Sequence, residues 1–149
     1  MTISDKINSD IIAAMKAKEK EKLEALRNIK KVLIEARAAK GAGTELSDEE
    51  VLRIIQKLAK QGKDSAAIFT DQDRPDLAEN EMAQVKIYES FLPAKLTKEE
   101  LTQAVSEIIM KTGASTMKDM GKVMGVASKE LAGKAEGKDI AAIVKTLLQ

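Results

Sequence analysis

The fold is decided by residues 46–72, LSDEEVLRIIQKLAKQGKDSAAIFTDQ, which carry the signature of a long amphipathic helix. Ser47 stands at the N-cap position, and Glu50 three residues later can complete a capping box with it. Leu46 and Val51 flank these residues as a hydrophobic staple, and apolar residues then recur every three or four positions. The segment therefore predicts one helix of about seven turns, interrupted only by a glycine.

The same signature recurs after Pro93, where Thr97 and Glu100 repeat the capping box and Leu96 and Leu101 repeat the staple. A proline followed by a new helix start is typical of a break between structural units. We therefore place the predicted domain boundary at Pro93.

Helical periodicity dominates the rest of the chain, and strand alternation is nearly absent. Four helices are expected before the boundary, at about residues 4–18, 20–39, 48–72 and 75–92, and three follow it. The sequence thus predicts an all-α fold. An N-terminal helical domain with long antiparallel helices (1–92) is followed by a small three-helix C-terminal module (93–149).

Two residue types that often serve in catalysis are missing, because the 149-residue chain contains no Cys and no His. Their absence removes thiolate nucleophiles, disulfides and the side chain best suited to proton transfer at neutral pH. Gly62-Lys63 lacks the leading glycine of a phosphate-binding loop, and Asp71-x-Asp73 lacks the glycine and glutamate of a calcium-binding EF-hand loop. We expect no catalytic residue, no cofactor and no metal site.

The chain begins without an apolar stretch of the signal-peptide type, and no run approaches 18 apolar residues. We therefore expect a cytoplasmic protein that does not associate with membranes.

The strongest candidate for chemistry is a group of lysines and glycines in the C-terminal module. Lys118, Lys122 and Lys129 fall within about 40° of one another on the predicted sixth helix. Gly121 and Gly125 lie beside them. Lys134 and Lys138 add charge in the turn that follows, so residues 111–138 hold six basic and three acidic side chains, net +3.

This pattern predicts a surface that faces phosphates, with lysines that neutralise backbone charge and glycines that let a bulky polyanion sit close. The alternative is a solvated helix face, with the glycines serving helix–helix packing. Residues 93–149 contain no aromatic side chain. Any RNA recognition by this module would therefore depend on shape and backbone rather than on base stacking.

Two other patterns favour ordinary structural roles. On the second helix, Lys20, Arg27 and Lys31 form a basic stripe, but Glu24 interleaves it at ion-pair spacing, which favours a solvated face. Four methionines lie within 15 residues, and their helical spacing favours packing in the core over a partner-binding surface. They are Met110, Met117, Met120 and Met124.

Motifs in both parts of the chain resemble those of YqeY-type proteins. In the first part they are Gln61-Gly-Lys-Asp64-Ser65-x-x-x-Phe69, Arg74-x-Asp76-Leu77 and Leu92-Pro93. In the second they are Gly113-Ala-Ser, the run Lys118-Asp-Met-Gly-Lys-Val-Met-Gly125 and the turn Gly133 to Lys138. The second part is also similar to the tail of the B subunit of the glutamine-dependent aspartyl/glutamyl-tRNA amidotransferase.

The resemblance implies a two-domain helical fold and, for the tail module, proximity to tRNA. It does not imply amide transfer, because that chemistry resides in regions with no counterpart here. The leading hypothesis is a non-catalytic, tRNA-associated binding protein that contacts RNA backbone through the lysines and glycines named above. One alternative is a helical protein–protein adaptor that docks on a tRNA synthetase or amidotransferase through the acidic residues 41–92. Another is an accessory factor of amide transfer, a carbon–nitrogen ligase activity with glutamine as donor.

Overall fold

The computed structural model describes all 149 residues and confirms the all-α prediction, with seven α-helices and no strand. The helices are α1 (Ile3–Ala17), α2 (Lys20–Lys40), α3 (Asp48–Asp71), α4 (Pro75–Ser90), α5 (Lys98–Thr112), α6 (Met120–Glu130) and α7 (Gly137–Leu148). A 3-10 helix, Met117–Asp119, precedes α6. None of these helices combines the length and apolar composition needed to cross a membrane.

The chain divides into two compact units, Met1–Leu92 and Pro93–Gln149, and each has a hydrophobic core of its own. The N-terminal unit contains α1 to α4. Its core is formed by one apolar face from each helix, with Ile7, Ile29, Ile55 and Val85 among the fully buried side chains. A short turn makes α3 and α4 a helical hairpin, and Pro75 begins α4 at the position where its missing N–H costs nothing.

Both predicted capping boxes are present. The Ser47 hydroxyl accepts from the Glu50 N–H at 3.2 Å, and the Glu50 carboxylate accepts from the Ser47 N–H at 2.7 Å. Thr97 and Glu100 exchange the same two hydrogen bonds, both at 3.2 Å. Each box satisfies two backbone groups that a helix start leaves without partners, and so fixes where α3 and α5 begin.

Gly62, which interrupts the α3 pattern, lies where α3 and α4 approach each other closely. A Cβ at this position would lie 2.5 Å from Cγ2 of Val85, a branched side chain that is 1% exposed. Such a distance is shorter than any real contact, so only glycine fits without movement of the helices. Gly62 weakens α3 locally but allows the hairpin to close.

Tyr88 joins α4 to α2 through a part-buried hydrogen-bond chain. Nδ2 of Asn28 donates to the Tyr88 hydroxyl at 2.7 Å, and that hydroxyl donates to Oε1 of Gln84 at 3.2 Å. Burial of the ring raises the pKa of the Tyr88 hydroxyl above its ordinary value, so the group stays protonated and able to donate. The chain therefore links three polar side chains inside an otherwise apolar packing.

The C-terminal unit packs α5, α6 and α7 around a core that includes Val105, Val123, Ala127 and Val144. The N–H of Leu96 donates to the carbonyl of Lys134 at 3.0 Å. This bond ties the segment before α5 to the turn between α6 and α7.

The prediction that the methionines pack in the core is wrong for two of the four. Met110 is 79% exposed and Met117 is 39% exposed, whereas Met120 and Met124 pack, partly buried, against the core. Met110 points away from the buried side of α5, about 200° around the helix from Ile108. Met117 lies outside α6, in the 3-10 helix.

We expect Gly62→Ala to lower the free energy of unfolding of the N-terminal unit by about 1–3 kcal/mol, because the added methyl overlaps Val85. Gly121→Ala is the matched control, since a Cβ there meets nothing within 4 Å. That variant should gain roughly 0.5–1 kcal/mol from helix propensity alone. Urea unfolding followed by circular dichroism measures both, and a stabilised Gly62→Ala variant would refute the close approach.

We expect Tyr88→Phe to cost about 1–2 kcal/mol, because it leaves the Asn28 amide without its acceptor. A double-mutant cycle with Asn28→Ala isolates the pair, and its coupling energy should be roughly 0.5–1.5 kcal/mol. Additive effects of the two substitutions in thermal unfolding would show that the hydrogen bond contributes nothing.

Candidate nucleic-acid interface

The seven predicted site residues form what we call the Lys/Gly surface of the C-terminal unit. It comprises Lys118, Gly121, Lys122, Gly125, Lys129, Lys134 and Lys138. Four of them, from Gly121 to Lys129, lie on α6 within about 100° of arc, and all four are exposed. The opposite side of α6 is buried through Val123 and Ala127.

Lys118 does not belong to the sixth helix as predicted, because α6 begins only at Met120. The Asp119 carboxylate accepts from the backbone N–H of Ser115 at 3.0 Å and of Thr116 at 3.4 Å. The hydrogen bond from Ser115 is the main cause of the lowered pKa of Asp119, so this carboxylate is charged at neutral pH. It folds the segment into a 3-10 turn that carries the exposed Lys118 just before α6.

Lys122 has a structural partner. Its Nζ donates to the backbone carbonyl of Thr112, the last residue of α5, at 3.1 Å. Gly113 follows with φ +72° and ends α5. A lysine at this end of a helix neutralises the partial negative charge of the last carbonyls. Part of the charge of Lys122 therefore serves the α5–α6 contact.

The remaining cations differ in how far their charge is compensated. Lys138 forms an ion pair with Glu136 at 3.6 Å between Nζ and Oε2. Lys118 and Lys129 are exposed and form neither a hydrogen bond nor an ion pair through their ammonium groups. Lys134 is half-buried in the turn before α7. Lys118 and Lys129 are thus the two cations of the surface whose charge is most available.

The exposed glycines of α6 serve neither packing nor backbone geometry. A Cβ built on Gly121 or Gly125 meets no atom within 4 Å, and neither residue has a positive φ. Within the chain, therefore, no other helix packs against these two glycines. Each costs about 1 kcal/mol of helix stability relative to alanine, and no contact within the chain offsets that cost.

Four motif residues of the N-terminal unit, by contrast, have contacts within the chain. Gly62 allows the α3–α4 approach, and Lys63 pairs with Glu89 of α4 at 3.5 Å. Arg74 binds both carboxylate oxygens of Asp76, at 3.1 and 3.0 Å, at the start of α4. The first two contacts join α3 to α4, and the third lies at the turn between them.

A cleft that sequence reasoning missed lies in the N-terminal unit, between α1, α2 and the loop after α2. Its volume is about 370 Å³, and its polar lining includes Asn8, Lys30 and Arg37. Arg37 is engaged by Glu45 from the loop. The seven-residue spacing of Lys30 and Arg37 places both side chains on one face of α2. It does not reveal that α1 forms another wall of the cleft.

A family model described as Yqey-like protein matches residues 4–148, which is nearly the whole chain. No curated protein matches the sequence.

We expect Lys122→Gln to destabilise the C-terminal unit by a few tenths of a kcal/mol up to about 1 kcal/mol, through loss of the contact with the end of α5. Lys129→Gln removes the same charge from the same face without breaking a contact, and should change stability by less than about 0.5 kcal/mol. Urea unfolding of the two variants tests the difference. Equal stabilities would show that the Lys122 contact has no structural role.

Proposed function

The chain belongs to the YqeY-like protein family, and we propose that it is a non-catalytic, tRNA-associated binding protein. In this proposal the Lys/Gly surface of the C-terminal unit contacts the RNA backbone.

The observation that carries the proposal is the open space above Gly121 and Gly125. Two glycines one turn apart on the exposed face of a helix are costly, and the chain gains no internal contact from them. They leave a stretch of α6 backbone bare between the cations Lys118 and Lys129. A surface of this kind accommodates a bulky, negatively charged ligand that lies against the helix itself.

The composition of the unit supports a backbone ligand. Residues 93–149 contain no Phe, Tyr or Trp, so no side chain there can stack on a base. Lysines bind phosphates as point charges and do not distinguish bases in this way. The proposed complex is therefore steeply salt-dependent and shows little sequence preference.

The choice of tRNA among RNAs rests on the family resemblance. The C-terminal unit is similar to the tail of an amidotransferase subunit that acts on aminoacylated tRNA. Its cationic face without aromatic residues is consistent with recognition of a folded RNA by shape.

One observation favours the adaptor alternative for the other unit. Ile68 of α3 and Met82 of α4 are 55% and 45% exposed within the acidic residues 41–92. Exposed apolar side chains among carboxylates suit a basic protein surface with apolar pockets. A tRNA synthetase or amidotransferase that co-purifies in high salt without RNA would support this alternative.

We expect the salt dependence of tRNA binding to show that Lys118 and Lys129 contact phosphates. In fluorescence anisotropy, the slope of log K against log salt should fall by about 1.5–2 in the variant Lys118→Gln/Lys129→Gln, which loses two phosphate contacts. The matched control is Lys95→Gln/Lys145→Gln, which removes two exposed lysines elsewhere in the same unit. Equal slopes for the two variants would show that the Lys/Gly surface contributes only general positive charge, like any other lysines of the unit.

The glycines are tested without any change of charge. Gly125→Leu keeps the helix and its lysines but fills the open space, and we expect it to weaken tRNA binding at least tenfold. Ala142→Leu, at an exposed position of α7, should leave the affinity unchanged. Full affinity of Gly125→Leu would contradict the close approach of RNA to α6.

A further inference from the structure

We infer that the N-terminal unit carries a second RNA-backbone surface, the α2 stripe, formed by Lys20, Arg27 and Lys31. This inference rests on the proposed function, since it assigns additional phosphate contacts to the same ligand. The stripe lies wholly within the N-terminal unit and needs no residue from the Lys/Gly surface.

The three cations share one outward line of α2. Their positions fall within about 40° of arc and span about 16 Å along the helix axis. The opposite side of the same helix is buried through Ala25, Leu26, Ile29 and Leu33. Because that face anchors α2 in the core, the helix is held in place and the stripe is presented to solvent as a fixed row.

The spacing in the sequence predicts that Glu24 neutralises this row, but Glu24 does not pair with it in the structure. Glu24 forms no ion pair with Lys20, Arg27 or Lys31, and the only α2 cations in ion pairs are Lys22, Arg37 and Lys40. Glu24 lies at the edge of the stripe, on the side that faces Tyr88. There its charge adds to the effect of burial in raising the pKa of that hydroxyl. The three cations of the stripe therefore have no ion-pair partner on α2.

Helix stability does not account for Lys20. It is the first residue of α2, where the partial positive charge of the helix start disfavours a cation. The preceding residue, Glu19, makes no side-chain cap that would offset this charge. Lys16 and Lys18, at the end of α1, lie exposed beside it without ion pairs. Residues 16–31 hold seven basic and three acidic side chains, net +4.

A phosphate backbone fits this surface better than a membrane or an apolar protein face. The large apolar residues of α2 are buried or half-buried, and only Ile34 is left exposed beside the row. Burial in a lipid interface requires a continuous apolar face, which α2 does not present. A row of cations on one face of an anchored helix can instead face the phosphates along one nucleic-acid strand.

The test compares three full-length variants that each lose three positive charges. The first removes the α2 stripe (Lys20→Gln/Arg27→Gln/Lys31→Gln), and the second the Lys/Gly surface (Lys118→Gln/Lys129→Gln/Lys134→Gln). The control removes exposed, unpaired lysines of α3 and α4 (Lys57→Gln/Lys60→Gln/Lys86→Gln). Glutamine keeps the helix propensity of lysine and arginine, and circular dichroism checks the fold of each variant.

We expect the stripe variant to lower the salt slope of tRNA binding by about 2–3 relative to the wild type, and the control to leave it within about 0.5. The single change Arg27→Gln should lower it by about one, which guards against loss of folding in the triple variant. If only the Lys/Gly variant lowers the slope, the stripe is refuted and the proposed function stands.

If only the stripe variant lowers the slope, the inference stands and the proposed role of the Lys/Gly surface fails. A wild-type protein that binds no tRNA at any salt concentration would overturn both. Retention of tRNA binding by the stripe variant, together with loss of binding to an acidic protein or to anionic vesicles, would assign α2 to that partner and refute the inference.

Discussion

The approach of α3 to α4 at Gly62 is the constraint on which the N-terminal unit depends. A methyl group of Val85 occupies the volume where any other residue would place its Cβ. Because the two helices meet so closely there, Tyr88, one turn further along α4, is buried with its hydroxyl in reach of Asn28 on α2. One missing side chain on α3 thus permits contacts that extend to a third helix. The helix propensity that α3 loses at Gly62 is offset by the packing of α3 against α4.

The C-terminal unit shows the opposite balance between propensity and packing. Gly121 and Gly125 weaken α6 and contact nothing, whereas Val123 and Ala127 on its other side are fully buried. A helix with one well-packed face can tolerate a bare one, because its position is set by the core rather than by its own residues. This arrangement leaves exposed backbone on an ordered element, and stability alone would not maintain it.

The sequence predicts the helices well because their starts and ends are local. A capping box needs only residues three apart, and Gly41 and Gly113 end α2 and α5 with a positive φ that glycine adopts easily. The sequence predicts that the candidate site lies on one face of a helix, but it does not predict which of the site's charges are compensated by neighbours. Whether Lys122 reaches the end of α5 depends on a neighbour that lies ten residues away in sequence. The 3-10 turn at Lys118 likewise follows from the bonds that Asp119 accepts, which periodicity does not show.

The placement of the few aromatic residues has an optical consequence. The chain has one Tyr, two Phe and no Trp, and all three rings (Phe69, Tyr88 and Phe91) belong to the N-terminal unit. Near-ultraviolet absorbance and intrinsic fluorescence, which come from aromatic rings, therefore report on one unit alone. Tyr88 is a built-in probe of the contact between α2 and α4, while the C-terminal unit is silent at these wavelengths. A single tryptophan introduced into α5 or α7 would give each unit a signal of its own.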